Sequence, residues 1–146
     1  MTPEEIMQVA IEAAEKSETP YGAVIAQGSQ IIEVAGNSVF PDNDPTAHAE
    51  VNVIRKLAMR SGTKSLEGYT LYTTYEPCPM CAAACLWANL SEIVYGACVD
   101  DFVDYNPNLI DLRCQDVIEK SPFSVQLKGG LLLEQCKNLH KLYPIE

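Results

Sequence analysis

Two short motifs, His48-Ala49-Glu50 and Pro77-Cys78-Pro79-Met80-Cys81, constrain what this chain can fold into more than its composition does. Each alone is weak. An H-x-E triplet is common by chance, and a C-x-x-C serves redox pairs as readily as half of a zinc knuckle. Together they supply one nitrogen and two sulfurs, a donor set that suits zinc. There is no second C-x-x-C in the sequence, so a four-cysteine structural site would need scattered partners. Three protein ligands leave one coordination position open, which marks a catalytic rather than a structural zinc. Any fold for this chain must therefore bring two separate segments to one point.

Local patterning shows how that can happen. Thr2 caps a first helix over about Pro3 to Lys16, with Pro3, Glu4 and Glu5 suited to its first turn. Gly22 to Ala26 and Ile31 to Ala35 read as a hairpin across Gly28-Ser29-Gln30. Gly36 to Thr46 reads as a loop, and Asp44 or Thr46 can cap a helix from about Ala47 to Arg60. Tyr69 to Thr74 is a strand, Pro77 to Asn89 an Ala-rich helix, and Ile93 to Ala97 another strand. Cys98 to Ser121 is the least legible stretch, with a short helix expected near Asp116. Val125 to Leu127 closes the strands and Leu131 to Tyr143 is a final amphipathic helix. This alternation predicts one α/β domain over residues 1–146, a three-layer sandwich with helices on both faces of a five-stranded sheet. Both motifs then fall at helix starts. Cys78 and Cys81 share a helix face, and the positive helix end favours their thiolates. His48 and Glu50 are separated by roughly 200° of helical rotation, so they can point the same way only in an open first turn.

The bulk properties exclude several classes. The formal net charge of -10 argues against a large nucleic-acid footprint. The densest cations, Arg55, Lys56, Arg60 and Lys64, lie on and just after a predicted helix and read as its solvated face. The N-terminus has no basic run before an apolar one, so no signal peptide is read. No stretch approaches the roughly 20 apolar residues of a membrane span. Six cysteines without secretory signals read as metal ligands and buried thiols, and the expected location is cytoplasmic.

The two motifs together form the zinc deaminase signature, and the sequence resembles the cytidine and deoxycytidylate deaminase superfamily. Within it the look is nearest to guanine deaminases and bacterial tRNA adenosine deaminases. The resemblance rests on Tyr21-Gly22-Ala23-Val24, on Asn37, on Asn43-Asp44-Pro45-Thr46-Ala47-His48-Ala49-Glu50, and on Leu71-Tyr72-Thr73-Thr74 leading to Glu76-Pro77-Cys78-Pro79-Met80-Cys81. It covers Pro20 to Ala97 well and the rest loosely. It implies a cytidine deaminase-like fold with a mixed sheet, one Zn2+ per chain on His48, Cys78 and Cys81, and a homodimer. It also implies hydrolytic deamination of a small nucleobase or nucleoside, with Glu50 moving the protons. Asn37 and the backbone N–H of Ala49 would hold the substrate ring. An inactive zinc-stabilised binding module is the non-enzymatic alternative; Glu50 argues against it, being no ligand.

For substrate, Trp87 and Tyr21 match aromatic positions of the guanine deaminases, as does Pro79-Met80. The expectation is a free aminopurine, guanine first, met by one of Asp101, Asp104 or Asp111. The alternative is adenosine in tRNA, for which Gly129-Gly130 before the last helix speaks. Against it stand the acidic balance and a closing helix with only Lys137, His140 and Lys141. Cytosine and guanosine are further alternatives.

Overall fold

In the computed structural model, which describes residues 1–103, 106 and 108–144, five strands form one mixed sheet in the order β2-β1-β3-β4-β5. The strands are β1 (Gly22–Gln27), β2 (Gln30–Gly36), β3 (Thr70–Tyr75), β4 (Glu92–Ala97) and β5 (Gln126–Lys128). β1 runs antiparallel to both β2 and β3, whereas β3, β4 and β5 are parallel. The helices are α1 (Pro3–Ser17), α2 (Val39–Asp42), α3 (Ala49–Ser61), α4 (Pro79–Trp87), α5 (Cys114–Glu119) and α6 (Leu133–Leu142). The expected α/β/α sandwich is therefore present, with small changes of boundary.

Strand alternation divides the core in two. Ala23, Ile25, Leu71 and Ile93 point to the side covered by α3, α4 and α5, with Val53, Leu57, Cys85 and Cys114. Val24, Ala26, Tyr72 and Val94 point to the other side, covered by α1 and α6 through Ile6, Met7, Ala10, Cys136 and Leu139. Close approach of α1 to the sheet depends on Gly22. A Cβ there would collide with the Ala10 carbonyl oxygen and lie 2.6 Å from the Ala14 amide nitrogen. Both obstacles are helix backbone and cannot swing aside. Gly22→Ala is expected to cost about 3 kcal/mol or more, read as a lowered urea midpoint.

Two departures from the sequence expectation lie before α3. The segment read as loop contains α2, four residues long and too short for any periodicity to reveal. Helix α3 starts at Ala49 rather than Ala47. Asp44 does not cap it; its carboxylate accepts from both the Thr46 amide (2.8 Å) and the Thr46 hydroxyl (2.7 Å), closing a separate turn. The Ala47 carbonyl instead receives the Ser38 amide at 2.9 Å.

One edge of the sheet is β2. Three side chains of α3 donate to its carbonyls: Asn52 to Gly36 at 3.0 Å, Lys56 to Val34 at 3.1 Å and Arg60 to Ile32 at 2.8 Å. Four residues of helix rise ~6 Å and two residues of strand ~6.6 Å, so the two repeats stay in register. The cations read from sequence as a solvated face are thus partly engaged with backbone.

Candidate metal centre and active site

The parallel β3–α4–β4 unit places the start of α4 at the carboxyl end of β3, where α/β sheets open their binding crevices. Cys78 is the N-cap of α4, and Pro79 supplies its first-turn proline. His48 is the N-cap of α3. Both caps have extended backbone, and neither side chain makes a capping hydrogen bond, so imidazole and thiol point away from their helices.

They point at each other. His48 Nδ1 lies 3.6 Å from Cys78 Sγ and 3.5 Å from Cys81 Sγ, and the three donor atoms fall within 4.8 Å of one another. Tetrahedral zinc, with bonds of ~2.0 Å to nitrogen and ~2.3 Å to sulfur, requires an N···S edge of about 3.5 Å. The donor set and its spacing therefore fit zinc. The protein's own groups already bias the sulfurs. A hydrogen bond from Cys81, assisted by His48, brings the Cys78 thiol down to about 4, while that same bond and burial push Cys81 up. A bound cation would draw both toward thiolate.

Glu50 is in the first turn of α3 and is 5% exposed. Burial, with the Cys78 charge adding to it, pushes its carboxyl up to about 7; the Thr73 hydroxyl and His48 act in the opposite sense. A carboxyl so placed can both take up and release a proton near neutrality. The Ala49 amide opens the same helix and belongs to a turn whose N–H groups have no partner inside the helix.

Tyr21, just before β1, is set by the backbone around it. The Thr74 hydroxyl donates to the Pro20 carbonyl at 2.7 Å and accepts the Gly22 amide at 3.1 Å, gripping both neighbours of Tyr21. Burial first, then Tyr75, Glu50 and Cys78, raise the Tyr21 hydroxyl, so its ring lies against the metal end of the sheet. It also meets the rings of Tyr75 and His140 edge-on at 5.9 and 5.8 Å. Asn37 donates its amide to the Tyr21 carbonyl at 3.2 Å, and its side-chain oxygen accepts the Val39 amide at 3.1 Å, initiating α2. Its carboxamide NH2 is not used in that contact.

Other expected substrate residues lie elsewhere. Trp87 is the last residue of α4 and 78% exposed. A nine-residue helix separates its ends by ~12 Å, so Trp87 stands apart from Cys78, in a surface groove with Leu112, Val117 and Phe123. Asp101 uses its carboxylate to accept the Cys98 amide at 2.8 Å. Asp111 is ion-paired with Arg113 at 2.9 Å on the surface. Asp104 lies outside the described residues.

Three supporting residues escaped sequence reasoning as such. Glu76, 6% exposed, accepts the Val99 amide at 2.9 Å and the Cys114 amide at 3.3 Å, tying the chain just after β4 to the start of α5. Asn52 reaches Gly36 O, Ser38 Oγ and Ala47 O at 3.0, 2.9 and 3.2 Å, holding the Asn37 loop to α3. His140 joins the aromatic group. Acids and amides inside helices or after strands resemble surface residues until their partners are known.

With this geometry in view, residues 1–97 match the profile of the cytidine and deoxycytidylate deaminase zinc-binding region. The chain belongs to this family. The family binds zinc, and His48, Cys78 and Cys81 are the residues here that could hold it. Among relatives, a tRNA-specific adenosine deaminase of Aquifex aeolicus is 43% identical over 91 residues, 62% of this chain and 60% of that protein. A guanine deaminase of Bacillus subtilis is 47% identical over 78 residues, 53% of this chain and 50% of that one. The matched segment thus spans 60% of the one relative and half of the other. A solved structure from a study of A-to-I editing by tRNA:A34 deaminases superposes with a TM-score of 0.79 at 30% identity, covering 92% of this deaminase-family chain and 98% of its own. The matched family region, residues 1–97, includes His48, Cys78, Cys81, Glu50 and Asn37. Among the described residues no helix is long and apolar enough to cross a membrane.

Proposed function

We propose that this chain hydrolytically removes the exocyclic amine of a free aminopurine, guanine first, releasing ammonia. Zinc on His48, Cys78 and Cys81 supplies a Lewis acid that makes a water nucleophilic near neutral pH. Glu50 takes one proton from the attacking water and delivers it to the ring nitrogen beside the reacting carbon. The water oxygen bonds to that carbon. Glu50 then carries the second water proton to the amine, the C–N bond breaks, and ammonia leaves a ring carbonyl behind. The Ala49 N–H and the Asn37 carboxamide orient the ring, and Tyr21 stacks or edges against it.

The observation that carries a free base over a polynucleotide is the engagement of the cations. Lys56 and Arg60, the centre of the densest basic group, donate to β2 carbonyls, and Arg60 also pairs with Glu33 at 3.1 Å. Arg113 pairs with Asp100 and Asp111, and Lys128 with Glu92. With a net charge of -10, such a surface opposes the several phosphate contacts that tRNA binding requires. The second reading is deamination of adenosine in tRNA, favoured by the similarity to the Aquifex protein and to the A34 deaminase structure. Parallel assays separate them: ammonia from guanine, adenine and cytosine, and inosine formed in tRNA. Ammonia from guanine without inosine is expected. Inosine with no reaction on any free base overturns the proposal.

A further inference from the structure

Helix α6 packs against the sheet through Cys136, Leu139 and Tyr143, and His140 shares that face, where helical spacing asks for another apolar residue. Its ring is enclosed by Phe102 at 4.6 Å, Tyr75 at 5.1 Å and Tyr21 at 5.8 Å. These neighbours come from the segment after β4, the end of β3 and the approach to β1, so the cage closes at the metal end of the sheet. His140 Nε2 is sealed from solvent and has no hydrogen-bond partner among the described residues. A buried polar atom left so costs free energy, and native proteins rarely leave one without a reason. Leu or Phe at position 140 would fill the same space without that cost.

Phe102 offers no polar atom, and neither Tyr75 nor Tyr21 gives Nε2 a hydrogen bond. A group bound against Tyr21 would lie next to the His140 ring. Tyr21 connects the two regions, since it touches the His140 ring and feels the charges of Glu50 and Cys78. Burial also holds His140 down to about 4, so near neutrality the ring is uncharged and offers one donor and one acceptor nitrogen. An uncharged histidine among aromatics suits a flat neutral heterocycle with N–H or ring-nitrogen groups on its rim. It does not suit a phosphate.

We propose that His140 is a specificity-determining residue whose Nε2 hydrogen-bonds the edge of the bound base that lies away from Glu50. This rests on the deaminase reading of the site given above. The test is His140→Phe, which keeps the ring volume and removes both nitrogens, with His140→Asn restoring a hydrogen-bonding group. For His140→Phe we expect full zinc content, a Tm at or above wild type, and a KM raised about tenfold with kcat within about twofold, consistent with one lost hydrogen bond. His140→Asn should recover part of the KM. In wild-type enzyme labelled at histidine nitrogen, the Nε2 resonance should move on saturation with guanine. An unchanged KM in His140→Phe, or an Nε2 resonance unmoved at saturating substrate, overturns the inference. The two proposals fail separately. If wild type deaminates no free base, the aminopurine reading falls. The same comparison then runs on a tRNA anticodon stem-loop, where equal kcat/KM for wild type and His140→Phe overturns the His140 inference.

Discussion

Glu50→Gln is expected to lower deamination by ~10²–10⁴ while leaving the zinc content and the unfolding midpoint near wild type. The size follows from position. Glu50 is not a metal ligand; it is buried in the first turn of α3, and its proton affinity is already raised toward neutrality. Gln keeps the shape and the contact with Thr73 but can neither take nor return a proton. Because burial disfavours the charged form of Glu50, its removal relieves a desolvation cost, so no loss of stability accompanies the loss of rate. Metal analysis, thermal unfolding and ammonia release on one preparation make the comparison. Turnover within a few-fold of wild type would remove Glu50 from the chemistry.

The second large effect concerns the metal ligands. Cys81→Ser is expected to lose zinc and, with it, much of the stability, because a site absent from the unfolded chain makes binding energy into folding energy. Cys81 is fully buried, so the serine hydroxyl would sit close to His48 Nδ1 and Cys78 Sγ without a thiolate's affinity for zinc. Chelation of the wild-type protein should reproduce the lowered Tm, and returning zinc should restore it. In Cys81→Ser, chelator should have little further effect. A variant that keeps full zinc, or a wild-type Tm indifferent to chelation, would show that these three side chains do not hold the ion.

The layers and the candidate metal ligands His48, Cys78 and Cys81 were legible from periodicity and spacing, for a physical reason. Amphipathic periodicity reports burial, and a helix start is the one place where residues at i and i+2, or at i and i+3 after a proline, can converge on a point. What was not legible depends on partners distant in sequence. Helix α4 is Ala-rich and apolar around most of its circumference, so nothing in its pattern says which side, or which end, meets the crevice; Trp87 proved to be at the far end. Asp101 and Asp111 look alike in sequence, yet one caps a turn and the other pairs with an arginine. His140 counts as a weak surface cation until Phe102 and Tyr75 are seen to enclose it. The start of α3 shifted because Asp44 and the Ala47 carbonyl found closer partners than the helix end.

The donors from α3 along β2 carry a consequence for self-association. An outer strand with open carbonyls is a template on which a second molecule can extend the sheet, the usual first step toward disordered aggregates. Here alternate carbonyls of that strand are occupied by side chains of the same molecule. Two of the three donors are the cations Lys56 and Arg60. Acetylation of Lys56 would weaken this cover. Position 60 looks replaceable by its exposure, with 58% of the arginine side chain in solvent. Its real requirement is a long side chain ending in a donor. Lysine meets that requirement; leucine of similar bulk would leave a sticky edge on an otherwise folded protein.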